Sequence, residues 1–231
     1  METVKRRIKN LRISNAAQRD YIPEDDLAKV LDEACIRALV RQETFGIDKV
    51  YHKSVIKTLH DGGRKFLAIL ILIAEPMSLR RVLQSGLCEN GPDNCLPLEK
   101  AGAEKLFSDK DSVKEFLKTQ WEFTTPLFRQ NSFPKVYDSN TIFPYYSDQR
   151  LERPRGNSTI YETEVDTRYL SLNRKIPVGL KVSKSSIFIR TITKIHGSLL
   201  QSFEKRCQKG TEPSLKPVYI AISTLQKTTV F

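Results

Sequence analysis

The chain has 231 residues, 39% of them hydrophobic and 28% charged, with a formal net charge of +11. That is enough chain for one large domain or two small ones, with enough apolar residues for a packed core. A membrane span is not expected: the apolar run FLAILILIA at 66–74 has nine residues, where a bilayer needs about 20.

The charge is unevenly placed. Residues 1–20 carry six Lys/Arg and two Asp/Glu, and residues 176–231 carry nine Lys/Arg with only Glu204 and Glu212 as acids. Residues 21–175 carry 23 of each sign, so the chain reads as a neutral body with two basic ends. Such ends are expected as solvated, partly disordered tails, or as weak contacts to nucleic acid and other anionic surfaces through counterion release.

In chain order, EDDLAKVLDEACIRALVRQET (24–44) predicts a helix. Leu27, Val30, Leu31, Ala34, Cys35, Ala38 and Leu39 follow the i, i+3, i+4, i+7 rule and form one apolar stripe. Pro23 and the acids at 24–26 suit its start, and Gly46 suits its end. A second helix is expected over 48–59, broken by His60-Asp61-Gly62-Gly63. FLAILILIA reads as a buried strand or a buried helix, which periodicity does not separate; the neighbouring helices and the leading Arg64-Lys65 favour the helix. MSLRRVLQSGL (77–87) reads as a short helix stopped by Gly86. DSVKEFLKTQWEF (111–123) predicts a helix with Val113, Phe116, Leu117 and Trp121 on one side and Asp111 or Ser112 as its cap.

The composition changes after Pro126. PLFRQNSFPKVYDSNTIFPYYSDQRLERPRG concentrates Pro, Phe and Tyr and reads as an extended segment. TIYETEV (159–165), PVGLKV (177–182) and PVYIAISTLQ (217–226) read as strands, and QSFEKRC (201–207) as a helix. The expected class is α+β. It divides into a basic arm at 1–20, a helical domain at 21–125, a Pro- and aromatic-rich connector at 126–154, and a β-rich segment with a basic tail at 155–231.

No pair among Cys35, Cys88, Cys95, Cys207, His52, His60 and His196 has zinc-site spacing. METVKRRIKNLRIS has no apolar core of seven or more residues, so no secretory signal is expected. KRRIK is compatible with a nuclear address. The expected location is cytoplasmic or nuclear, with reduced thiols. Cys88 and Cys95 would close the loop CENGPDNC in an oxidising compartment.

The second part resembles the start of a protein-kinase amino-terminal lobe. In that family a glycine-rich hairpin covers the ATP phosphates, a lysine on the third strand binds them, and a helix glutamate pairs with the lysine. GNSTIYETEV (156–165) is similar to the hairpin, with Gly156, Ser158 and Ile160 at remnant positions. VGLK (178–181) resembles V-A-I-K and nominates Lys181, and SFEKRC nominates Glu204. GRKFLAILILIAEPMSLRRVLQSGL, LPLEK, QWEFTTPLFRQNSF and NTIFPYYSD resemble the region that precedes the kinase domain in filamentous-fungal kinase-like proteins, over about residues 45–165.

The departures decide what the resemblance implies. The pattern G-x-G-x-x-G-x-V, anchored on Ile160, places glycines where this chain has Arg153, Arg155 and Ser158. Backbone amides approach phosphate closely only where no Cβ intervenes. Neither H-R-D-x-x-x-x-N nor D-F-G occurs, so the base and the Mg²⁺-holding acid of phosphoryl transfer are missing. The expectation is a truncated, catalytically silent kinase-like chain that binds or regulates an unknown protein partner, with no cofactor, neither ATP nor Mg²⁺. The alternatives are a basic binder of nucleic acid or anionic surfaces, and a fragment of an active Ser/Thr kinase whose catalytic lobe lies outside this chain.

Overall fold

Phe66 to Ile71 are wholly inaccessible to solvent, and the helices around them are arranged to keep them so. The computed structural model describes residues 1–85, 91–129, 135–150, 158–171, 184–192 and 218–223. The chain divides into two units, Met1–Ser14 with Arg19–Thr125, and Asn15–Gln18 with Pro126–Phe231. The fold is α+β.

The first unit is helical. Its helices are α1 (Glu2–Lys9), α2 (Glu24–Val30), α3 (Glu33–Val40), α4 (His52–Gly62), α5 (Arg64–Leu72), α6 (Ser78–Gln84), α7 (Lys100–Leu106) and α8 (Lys110–Thr119). The two-residue strands β1 (Ile13–Ser14) and β2 (Asp20–Tyr21) pair antiparallel. A helix apolar on every side must lie in the interior, and α5, which carries most of the run FLAILILIA, does. Helices α1, α2, α4, α6 and α8 all touch it.

The first amides of a helix have no partner inside it. Asp93, in the turn Pro92–Cys95, supplies one from outside. Its carboxylate accepts the backbone N–H of Lys65 at 3.1 Å and of Phe66 at 2.8 Å. Burial pushes the Asp93 carboxyl above its ordinary range, while these two N–H bonds and the Lys65 charge pull it back. The turn comes so close to the end of α4 that only glycine fits at its start: a Cβ on Gly91 would lie 2.9 Å from the Gly62 carbonyl oxygen, and φ there is +101°.

Four expectations need correction. The helix expected to break at His60-Asp61-Gly62-Gly63 starts at His52 and runs through Gly62 as α4. The N-terminal segment is no solvated tail throughout: residues 2–9 are helical, Ile8 is fully buried and Val4 packs on the core. The single helix expected over 24–44 is two. The chain leaves helical geometry at Leu31 (φ −104°, ψ 58°), and Asp32 restarts it by accepting the Cys35 N–H at 2.7 Å. The break rotates the stripe, so α3 buries Ile36, Leu39 and Val40 while Ala34 and Ala38 face solvent. Finally, α8 is capped by Asp109, which accepts the Ser112 N–H at 2.8 Å, not by Asp111 or Ser112. That bond holds the Asp109 carboxyl below its ordinary range.

Two polar side chains tie the C-terminal end of this unit. Arg12 grips Glu122 with two bonds, of 2.8 and 3.0 Å. Burial raises the Glu122 carboxyl, and Arg12 opposes the rise. Gln120, 1% exposed, mimics a strand partner for Leu98: its Oε1 accepts the Leu98 N–H at 2.8 Å and its Nε2 donates to the Leu98 carbonyl at 3.0 Å.

The second unit is built on strands: β3 (Phe128–Arg129), β4 (Lys135–Tyr137), β5 (Tyr145–Arg150), β6 (Ser158–Asp166), β7 (Leu170–Ser171), β8 (Lys184–Ile192) and β9 (Val218–Ser223). Five of them form an antiparallel sheet in the order β4-β9-β8-β6-β5, and β3 pairs parallel with β7. The alternation of TIYETEV and the β-branched run VYIAIS became strands as expected. The sequence reading did not include KSSIFIRTI, which forms β8 between β6 and β9. PVGLKV and QSFEKRC lie outside the described residues.

Phe128 and Val165 are buried together with Phe143 and Tyr145 packed against them. The loop Asn15–Gln18 joins this unit: the Ala16 N–H donates to the Tyr145 carbonyl and the Asn15 amide donates to the Phe143 carbonyl, both at 2.9 Å. At the end of β6, Asp166 accepts the Tyr146 hydroxyl at 2.9 Å and Arg168 Nη2 at 2.6 Å. Burial alone would raise this carboxyl, but the Arg168 and Tyr146 bonds outweigh it and hold it below the ordinary range. A carboxyl lowered on folding stabilises the fold above its unfolded pKa and loses that contribution as the pH falls through its folded one.

Candidate functional site

Helices α3 and α4 pack side by side, and the turns between them leave a concave face of about 1020 Å³. Its rim is cationic. Arg37 projects from α3, Arg41 from just beyond its end, Lys49 from the 3₁₀ turn Lys49–Tyr51, and Lys53 and Lys57 from α4. All five are exposed. Against them stand Glu33 and Asp61. Glu33 is already paired with Arg37, one helical turn away, and Asp61 lies beside His60 at 3.1 Å.

The local sequence explains the clustering. Lys53 and Lys57 lie four residues apart on α4, about 6 Å along one side of the helix, and Lys49 precedes them on the 3₁₀ turn. The intervening Val55 and Leu59 point inward, to positions 8% and 0% exposed. His52, also on this face, is held by a 3.0 Å contact between its Nε2 and the Ile47 carbonyl oxygen. Among the described residues, Arg41, Lys49, Lys53 and Lys57 have no carboxylate partner.

Apolar surface accompanies the charge. Val50 lines the face and is 88% exposed, and Ile56 is half-buried beside it. A second cleft, of about 780 Å³, is lined by Ile47, Tyr51, Val55, Leu83 and Pro92. Ser54, Lys57 and Asp61 border both hollows, so they form the ridge between them.

The residues nominated by the kinase resemblance are placed only in part. Ser158 and Ile160 lie on β6, opposite Ile192 and Arg190 of β8. Gly156, Lys181 and Glu204 lie outside the described residues. Residues 158–165, read from the sequence as part of a hairpin, belong to one strand, β6, which runs antiparallel to β5 with Arg150 opposite Tyr161.

Among the described residues no cluster of three or more His, Cys, Asp or Glu could hold a metal ion, and no helix is long and apolar enough to cross a membrane. Cys95 is disulfide-bonded, the state the sequence allows in an oxidising compartment. Cys88, its expected mate in an oxidised protein, lies outside the described residues. Cys35 is free and half-buried, and burial, with the nearby Asp32 charge, pushes its thiol up and away from the reactive thiolate form.

The sequence reading missed the cationic face. It placed the useful charge at the chain ends because it summed charge over long windows. The signal was present in Lys49, Lys53 and Lys57 at i, i+4, i+8, but finding it required the packing of α3 against α4, which adds Arg37 and Arg41. Comparison with family models, with curated proteins and with solved structures finds no match to this chain.

Proposed function

We propose that this chain is a non-catalytic binding module whose helical unit docks an anionic partner. The observation that carries the reading is the concave α3–α4 face, where five Lys/Arg converge and four of them have no carboxylate partner. Like charges four apart on a helix destabilise it by about 0.2–0.5 kcal/mol per pair. An anion bound across the ladder removes that repulsion, so the arrangement favours a ligand over bare solvent. The test is retention of the full chain on immobilised heparin. Reversing the face with K49E/K53E/K57E moves elution to clearly lower salt, because each lost phosphate- or sulfate-type contact lowers the salt dependence. Reversing the basic end instead, with K205E/R206E/K209E, changes it less. Equal loss from both would mean that net charge, and not this face, sets the retention.

A second reading concerns the strand unit: an incomplete kinase-type lobe that transfers no phosphate. The antiparallel pairing of β5 and β6 favours it, because the resemblance puts the phosphate loop between two such strands. The residues at 153, 155 and 158 are not glycines, so a closed cradle of amides is not available. Millimolar Mg-ATP therefore leaves the melting temperature of the full chain unchanged. Binding at 100 times the dissociation constant would stabilise by about 2.7 kcal/mol. A shift of that kind, abolished by Lys181→Ala, would establish a nucleotide site and overturn the expectation.

A further inference from the structure

The partner's chemistry can be narrowed, on the premise that the α3–α4 face is the docking surface. We infer that the face binds an extended acidic peptide segment, with carboxylates on alternate residues and an apolar side chain beside them. Three observations lead there.

The first is spacing. Lys53 and Lys57, both on α4, lie about 6 Å apart along the helix axis, and Lys49 precedes them on the 3₁₀ turn at the same rim. In an extended chain, side chains on one face recur every second residue, at about 6.6–6.8 Å. Two alternate Glu or Asp thus match Lys53 and Lys57 in spacing, with a further carboxylate toward Lys49.

The second is the apolar border. Val50, one turn before Lys53, is 88% exposed, and Ile56 is half-buried on the same face. Single-stranded nucleic acid is held by aromatic platforms on which bases stack. Here the face carries aliphatic Val50 and Ile56, and its two rings, His52 and His60, are engaged by the Ile47 carbonyl and by Asp61, which suits an apolar side chain of a peptide.

The third is placement. Residues 37–57 carry five Lys/Arg and two acids, while the charges of the whole stretch 21–175 sum to zero. The cations are local to this face and do not follow from the net charge of the chain.

The test uses the full chain and a labelled nine-residue peptide with Glu at positions 1, 3, 5 and 7, Leu at position 9, and Ser or Thr between. The comparators are a peptide of the same composition with its four Glu consecutive, and a five-nucleotide oligothymidylate. The alternating peptide is expected to bind at least tenfold tighter than either. Val50→Ser weakens it about tenfold, in keeping with loss of one buried aliphatic contact, and K49E/K53E/K57E removes measurable binding. Equal affinity for the oligonucleotide, equal affinity for the clustered peptide, or no effect of Val50→Ser would each overturn the peptide assignment. If heparin is retained through the face while the peptide fails, only this inference falls. If neither ligand uses the face, the binding-module reading falls with it.

Discussion

Phe66→Ala lowers the unfolding free energy of the helical unit by about 3–5 kcal/mol, the range for emptying a buried aromatic site. Phe66 is 0% exposed on α5, and its ring lies 5.2 Å from that of Phe116 on α8, which in turn lies 5.1 Å from Phe107. The three rings form a tilted layer, so truncation loses transfer energy and ring contacts together. Relaxation is limited, because Asp93 fixes the backbone at Phe66 and Leu67 to Ile71 are packed on every side. The readout is urea unfolding followed by Trp121, the only tryptophan, which lies in this unit. For a urea slope of about 2 kcal/mol per molar, the midpoint falls by about 2 M. Phe66→Leu keeps most of the volume and costs less, at about 1–1.5 kcal/mol, which keeps the comparison measurable if the alanine variant is mostly unfolded. A loss below about 1 kcal/mol for Phe66→Ala would mean the aromatic layer is not part of the core.

The apolar run alone did not separate strand from helix; its helical neighbours did, and α5 took up residues 66–72 of it. The division of 24–44 was not. A 3.6-residue period is the same for one long helix and for two short ones, so the stripe could not register the break at Leu31. The restart depended on one side-chain bond from Asp32. The preference of Asp for helix starts pointed to it, but the stronger periodic signal masked it. In the second unit, alternation marked β6 and β-branched content marked β9. The strand between them, β8, begins KSS, and a polar start hides a strand whose neighbours supply its partners on both edges.

The binding face was least legible. A lysine ladder on one helix is an ordinary solvated surface. It becomes a candidate site only when a second helix brings arginines to the same hollow and leaves a valine exposed beside them. Helix packing is a tertiary property, and charge counts along the chain do not contain it. The Cys95 bond was open to the sequence only as a condition, because cysteines at a suitable spacing do not state the redox environment.

Leu31→Asp leaves the helical unit largely unfolded at pH 7 and lets it recover on acidification. Leu31 is 0% exposed, at the turn between α2 and α3. Losing its burial costs about 2 kcal/mol. A carboxylate cannot stay charged in that setting, so it is protonated on folding. Protonating an aspartate of ordinary pKa near 3.9 at pH 7 costs about 4 kcal/mol, three units at about 1.36 each. The sum of about 6 kcal/mol matches or exceeds the stability of a domain at the low end of the usual range. The folded-state pKa of the introduced carboxyl is raised, so folding takes up a proton. Stability is therefore greatest below the unfolded pKa and is lost as the pH rises through the window above it. Moving from pH 7 to pH 5 restores about 2.7 kcal/mol. Leu31→Asn serves as the control, because it loses the same burial and brings no titrating group. Arg64 is the nearby cation to consider, since its Nε donates to the Leu31 carbonyl at 3.1 Å. Circular dichroism between pH 5 and 7 separates the cases. A Leu31→Asp variant as folded at pH 7 as at pH 5 would mean that the carboxylate reaches Arg64 or water, and that position 31 is not sealed in the core.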